Sequence, residues 1–504
     1  MNISKIFLSF LLLLMSPFCI LAQYNYDAEA VKFSSYEYRG TARTAGVAGA
    51  FSTVGPDVGA IVLNPAIVGM FRSSEASGTL NFQNSNAKST YLNKTNKENN
   101  FKLTADNLSV VFAGAFGNTK SSGILKGLGF AFNANKVADF NNQIYFEGKN
   151  FTNSLVDQYV YFMNLPQYRN LAIDYSSFPA DYVLANQSGL VNYSDLFKYY
   201  SSSAGGGQTN YQTGYIKTSG GITDMSITIG ANLWDKLYVG GGFGIPYLNY
   251  KREYTYTEED KDDSISGFKK LEYNENYQTQ GLGYNGKIGI IYKPIKLLRI
   301  GASISTPTYF GLKEQYGYSM THTTDSSELS VQSPNGAFQY SYKQPFRLNA
   351  GASVLFARYG FLSVDYEMVN YALNKYNFGT QYRDQAAYYN DTLIRNKYKI
   401  SHQIRSGVEF AYETARLRLG YAYQFSPFKK GVAVDGANMS KHLISAGLGY
   451  KGKRFSIDIA YVHTITNEYF SPYISVVSFP DYEDGATIKS SKDNILLTFG
   501  FKFK

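Results

Sequence analysis

Cysteine, tryptophan, histidine and proline are all scarce in this chain of 504 residues: one, one, four and thirteen. The single cysteine, Cys19, lies inside an apolar N-terminal stretch, so a processed chain has none. Disulfides, a thiol nucleophile and a Cys-ligated metal are thereby excluded. The histidines, His322, His402, His442 and His463, are dispersed without HxxxH or HExxH spacing, which argues against a metal or haem site. No GxSxG is present, and no histidine stands in a Ser/Asp constellation, so nucleophilic hydrolysis has no visible base. There is no P-loop, and Gly205, Gly206 and Gly207 lie in a Ser-rich loop, not between a strand and a helix. No cofactor is expected, and the chain reads as a non-enzyme. Charged residues make up only 17%, below the usual share of about 25%. The surplus of +9 is scattered, with no basic cluster in a nucleic-acid module, so no nucleic-acid partner is expected. After the N-terminal stretch no run of about 18 apolar residues appears. If the chain crosses a membrane, it does so with strands.

What is abundant fits that route. Tyrosine, phenylalanine and glycine number 46, 35 and 46, the composition of a barrel with aromatic girdles. Residues 1–22 read as a secretory signal peptide, with Lys5 as the charged region, Ile6–Met15 as the apolar core and Ala22 before the cut. No linker divides the remainder, so one large domain is expected, with residues 74–504 as its wall. Glu75–Gln83 reads as a first strand, polar Asn84–Asn100 as a loop, Asn107–Phe116 as a second strand and Gly127–Asp139 as a third. From Phe140 to about Gly220 the strand pattern stops, and a large extracellular loop with short helices is expected. Strands then resume in pairs joined by tight turns at Trp234-Asp235, Lys293-Pro294, Arg358-Tyr359, Glu413-Thr414 and Lys451-Gly452. The last strand starts near Lys489. The total is about fourteen, with short turns at one end and long loops at the other, as in outer-membrane barrels.

Alternation supports membrane strands. Ile495, Leu497, Phe499, Phe501 and Phe503 share one face of the last strand, opposite Thr498, Gly500 and Lys502. In Arg416–Phe425, leucine and tyrosine alternate with Arg416, Arg418, Gly420, Ala422 and Gln424. One face suits lipid and the other a polar lumen. The fold class expected is all-β: a transmembrane antiparallel barrel of about 14 strands.

Residues 23–73 differ. Arg39–Phe71 is Gly/Ala-rich, with neither alternation nor a long helical stripe. Asn64 suits an N-cap and Pro65 the first helical position, with Gly69 closing about one turn. Such a segment cannot bury its own core and needs a wall around it. Small residues let its backbone approach that wall, which suits a movable gate; the alternative is a static plug.

The run GTAR…AGAF…D…NPA, with Asn64, Pro65 and Ala66 as its last three residues, resembles the hatch of the FadL/TodX family of outer-membrane transporters. Leu237–Tyr254, Leu298–Leu312, Arg416–Phe428 and Arg454–Thr464 look like strands of that family. The resemblance implies a plugged fourteen-stranded barrel in a Gram-negative outer membrane, with passive uptake of hydrophobic compounds such as long-chain fatty acids. It implies partners in outer-membrane lipid, lipopolysaccharide and the barrel assembly machinery. It also implies a third-strand kink, for which Asn133 and Asn135 are the candidates here. Alternation turns Arg299, Arg347, Arg405, Arg416 and Arg418 into the lumen, with Asp365, Glu367, Glu409 and Asp458. They form either an ion-pair lattice or a site taking a ligand carboxylate. The reading of another class is a surface barrel binding a host or matrix partner through its large loop.

Overall fold

A computed structural model describes residues 26–115, 123–166, 168, 171–193, 199–201, 210–379, 381–473 and 485–503. The signal-peptide stretch, Cys19 and Gly205–Gly207 lie outside the described residues. Strand segments follow in order: β1 Ser74–Tyr91, β2 Lys94–Ala115, β3 Leu125–Asp139, β4 Asn142–Asn150, β5 Asn210–Leu233 and β6 Leu237–Glu259. Next come β7 Lys270–Tyr292, β8 Leu298–Ser305, β9 Thr308–Thr323, β10 Gly336–Gln344, β11 Arg347–Leu355, β12 Gly360–Asn370 and β13 Lys375–Asn377. The series ends with β14 Ile400–Tyr412, β15 Ala415–Gln424, β16 Lys441–Lys451, β17 Phe455–Phe470 and β18 Ala486–Phe503. Four wall positions are split into two segments each (β3/β4, β8/β9, β10/β11 and β12/β13), which gives a closed antiparallel barrel of 14 strands. Closure comes from β18 against β1, in register from Ser74 opposite Phe503 to Thr90 opposite Thr487. A closed wall leaves no strand edge in lipid, where an unpaired backbone group is costly.

The wall has an apolar band and a polar extension. On β7, Leu282, Tyr284, Ile288, Ile290 and Tyr292 are exposed in alternation. On β6 the exposed set Phe243, Ile245 and Tyr247 gives way above Tyr247 to Asn249, Lys251 and Glu253. Tyr247, Tyr284, Tyr309, Tyr366, Tyr421 and Tyr461 mark the upper edge of the band, and Trp234, Tyr292, Phe356, Tyr359, Tyr412, Tyr450 and Phe455 mark the lower. Rings with a polar tip settle at such interfaces.

This extension corrects one expectation. Asn84–Asn100 is not a loop. It is the top of the β1–β2 hairpin, turning at Leu92 and Asn93, both at positive φ. Its outward positions are polar because they stand above the lipid, so a hydrophobicity pattern has nothing there to register. The β1–β2 register shifts at Asp106, leaving Asp106 and Asn107 both buried; such a bulge resets the alternation. Phe140–Gly220 holds the expected helices, α3 Leu155–Met163 and α4 Ala180–Gln187, but also β4 and the start of β5.

Two large apolar clusters fill the barrel, with a small third one of Ala42, Ala45, Ala460, Val462 and Leu496. The lower gathers around α1 (Tyr26–Ser34) and the N-terminal segment, and the upper around α3 and α4.

Candidate functional site

The segment from Tyr26 to Ser73 runs within the wall, and its own side chains organise its turns. Thr41 caps α2 (Ala42–Ala45) by accepting from the Thr44 N–H at 3.2 Å. Asp57 accepts from the Gly59 N–H at 2.9 Å and from the Thr41 hydroxyl at 2.8 Å. Asn64 caps the 3₁₀ turns of Pro65–Met70: its Oδ1 accepts from the Ala66 N–H at 3.0 Å, while its Nδ2 donates to the Ile290 carbonyl at 3.3 Å. The turn runs to Met70, one residue past Gly69. Asn64, Pro65 and Ala66 all touch the wall. A Cβ added at Gly289 would stand 2.1 Å from Asn64 Oδ1, and one at Gly240 would stand 2.4 Å from the Pro65 carbonyl oxygen. Gly129 and Gly230 meet Val68 in the same way, at 2.6 and 2.9 Å. Four wall strands therefore carry glycine where the plug lies against them, by its backbone at Gly129, Gly230 and Gly240 and by the side chains of Asn64 and Pro65 at Gly289.

Three of the five predicted arginines, Arg299, Arg347 and Arg405, reach this plug. Arg347 Nη1 donates to Glu367 Oε1 at 2.9 Å, its Nη2 donates to the Ser34 carbonyl, and its guanidinium lies 3.8 Å from the Tyr36 ring centroid. Arg405 reaches Glu367 at 3.1 Å and Asn349 at 2.9 Å, and stacks on Tyr38. Arg418 bridges Glu409 and Asp458, each at 2.6 Å. Arg299 donates to the Val54 carbonyl. Arg416, nearer the rim, donates to the carbonyls of Glu413 and Ala415 at 2.8 and 2.7 Å and lies 3.9 Å from Glu409. Asp365 accepts from the Ser52 N–H at 2.9 Å and its hydroxyl at 2.8 Å. The donors of Arg347, Arg405 and Arg418 are turned to carboxylates of the protein itself. Such buried charges need partners of this kind.

Two cations of the plug complete the lattice and were not singled out from the sequence. Arg39 is buried, with Nη1 donating to Gln83 at 3.1 Å and Nε 3.5 Å from Asp106. Arg43 lies 3.7 Å from Glu409 and over the Phe51 ring. They are charges in an otherwise apolar run, and that contrast is the signal that marks them. Desolvation by itself would raise Glu37, but Lys441, Lys492 and Arg39 outweigh it and hold the carboxylate at about 2.

Beside the plug the wall is interrupted. β3 is paired on both sides up to Asn135, with β2 and with β5. Asn133 and Asn135 thus lie in regular register opposite Ser226 and Asp224 and do not break the strand. They bond inward instead: Asn133 Nδ2 donates to the Val58 carbonyl of the plug at 2.8 Å, and Asn135 accepts from Asn107 at 2.5 Å. The register shifts at Val137, and the strand stops between Asp139 and Asn142. Asp139 builds this corner by accepting from the Asn141 N–H at 3.0 Å. Opposite it, Gly220 at φ +104° accepts from the Phe140 N–H at 3.1 Å. A Cβ there would fall 2.1 Å from the Asn249 carbonyl oxygen, so only glycine fits.

Past the corner, β4 pairs with β5 alone, and the upper part of β2 pairs with β1 alone. Side chains bridge this seam. Ser85 donates to the Asn141 carbonyl at 3.2 Å, Ser89 donates to the Tyr145 carbonyl, and Lys102 reaches Asn141 Oδ1 at 2.7 Å. Because inward-facing β1 side chains reach its backbone, β4 sits inside the wall line. Phe140, at the corner, packs on Phe33 of α1 and on Tyr250, with centroids at 5.5 and 5.4 Å. Break and plug are in direct contact. On the outer face, a groove of about 970 Å³ runs over Phe132, Met225, Ile227, Phe243, Ile245 and Phe499, with Asn133 in its lining.

No protein-family model matches the sequence, and no curated protein matches it. Solved structures do. A Pseudomonas aeruginosa FadL homologue aligns at TM-score 0.53 and 10% identity, over 92% of this chain and 98% of that one. The P. putida toluene transporter TodX aligns at 0.52 and 12%, over 94% and 99%. A deltaS2 mutant of the TodX monoaromatic hydrocarbon channel aligns at 0.54 and 11%, over 93% and 100%. From plug to closing strand, this chain has the fold of the FadL/TodX channels.

Proposed function

We propose that the protein is a passive channel of a Gram-negative outer membrane for hydrophobic compounds, with long-chain fatty acids as the first class to test. The observation that carries this reading is the seam. A wall position interrupted at Asp139–Asn142, with β4 stepped inward and Phe140 against the plug, offers apolar cargo a way past a lumen crowded with ion pairs. Burial of an acyl chain contributes about 0.8 kcal/mol per CH₂, so capture among the aromatic rings of the upper cluster needs no energy source. Asn64 and its neighbours act as the gate: the plug turns are short, and short pieces rearrange at small cost. The fold of a toluene transporter supports the hydrophobic class, and the resemblance of the N-terminal motif to the FadL/TodX hatch is what puts fatty acids among the classes to test.

The test is accumulation of labelled oleate in a Gram-negative host without its own uptake channel, with surface protein measured in parallel. Uptake that saturates and depends on the protein is expected. Normal surface protein without uptake of oleate or toluene would sink the reading in favour of a surface-binding barrel.

A further inference from the structure

Both rims of the barrel carry lysine. At the long-loop rim some lysines are paired, Lys94 with Glu147 at 2.6 Å, Lys149 with Asp262 at 2.7 Å, Lys251 with Glu253 at 2.6 Å and Lys270 with Glu272 at 2.8 Å, and others, such as Lys88, Lys97, Lys429 and Lys430, are exposed without an ion pair among the described residues. At the short-turn rim, Lys236, Lys296, Arg358, Lys453 and Arg454 are exposed, and among the described residues no carboxylate lies within 4.0 Å of their nitrogens. Among the described residues the exposed acids of that rim are Asp235, which Arg72 holds, and Glu413.

These five cations have a common height. Each lies within a few residues of a ring of the lower aromatic edge: Lys236 by Trp234, Lys296 by Tyr292, Arg358 by Phe356, and the Lys451–Arg454 turn between Tyr450 and Phe455. Aromatic edges mark the membrane interface, so the cations stand at the level of the headgroups. They also come from four separate turns around the perimeter. A compact soluble partner would meet one side of such a ring, whereas lipid surrounds it. Unpaired like charges repel one another and attract a counter-ion layer.

We propose that the short-turn rim binds the phosphate headgroups of anionic phospholipid in the leaflet it faces. This rests on the membrane-barrel part of the reading above and not on the cargo.

The chain supplies its own probe. Trp234 is the only tryptophan, is half exposed, and sits in the same turn as Lys236. The adjoining turn is tied to it by the Lys293 N–H donating to the Lys236 carbonyl at 2.7 Å. The full mature protein is placed in nanodiscs containing dibrominated phosphatidylglycerol or dibrominated phosphatidylcholine at equal mole fraction, and quenching of Trp234 is compared. Quenching by the anionic lipid should correspond to an enrichment of roughly threefold, falling in high salt because the Debye length shrinks. The double variant Lys236→Gln, Lys296→Gln should bring the ratio close to one, while Lys251→Gln at the opposite rim should leave it unchanged. Equal quenching by both lipids in the unaltered protein overturns the inference in favour of an acidic soluble partner, and a preference surviving the double variant overturns it by showing that these rim cations do not carry the selectivity. Loss of oleate uptake does not bear on it, and a normal lipid preference does not rescue the uptake reading.

Discussion

The plug and the helical cap fill the same cylinder, and different chemistry holds each of them. Around the plug, Arg39, Arg43, Arg347, Arg405 and Arg418 meet buried carboxylates, and wall glycines bring backbone against backbone. Around the cap, rings dominate. Tyr159 packs on Tyr182 at 4.9 Å, within a cluster that includes Phe146, Tyr256, Tyr273 and Tyr318. One carboxylate anchors the cap: Glu258 accepts from the Ser154 hydroxyl and from the Leu155 N–H, the latter at 2.8 Å, at the start of α3. An ion-pair lattice cannot slide by an ångström without leaving charge unpaired, so the plug has few allowed positions. Apolar contact weakens gradually with area, so the cap can yield a little at a time. The first property suits a gate and the second a capture surface.

Replacing Arg418 with leucine should break the comparison most. It takes from Asp458 its ion-pair partner and leaves Glu409 with Arg43 and Arg416 at 3.7 and 3.9 Å, and removing one partner of a buried pair typically costs about 3–5 kcal/mol. The temperature at which the barrel loses its heat-modifiable mobility in detergent should fall steeply, and Arg418→Lys should fall less. A shift as small as that of an exposed lysine variant would show that the lattice does not hold the plug.

Gly240→Val comes next. The new side chain must displace the backbone at Pro65 and Ala66, and overpacking costs about 1–3 kcal/mol. Limited proteolysis should cut within residues 26–73 while circular dichroism still reports a β-barrel. A protected plug would mean that the glycine contacts are incidental.

At the cap, Glu258→Gln should cost about 1–2 kcal/mol by weakening charge-assisted bonds to α3. Hydrogen exchange should quicken in Leu155–Met163 and remain unchanged in the plug. A change spread over both would erase the division between them.

The smallest effect on stability is expected at Asn64. Loss of the cap to Ala66 should cost about 1 kcal/mol, with assembly retained and uptake altered. Asn64→Asp keeps the cap but adds a negative charge, so an anionic ligand should be impaired more than a neutral one. Wild-type rates for both variants would leave the segment a static plug.

The amino-acid sequence by itself determined the strand wall, its tight turns and the lumen side of the arginines, because a period of two needs no tertiary information. It also marked Asn64, since a cap is a local interaction. The polar tops of β1 and β2 were not legible, because above the membrane no apolar face is required and Asn84–Asn100 carries no contrast. Nor was the break. Asn133 and Asn135 look like interruptions, yet each finds an inward partner and the ladder continues past them. The corner at Asp139–Asn141 depends on Gly220 at positive φ opposite it and on Phe33 arriving from the plug. Those groups are far apart in the chain, and only closure of the barrel brings them together.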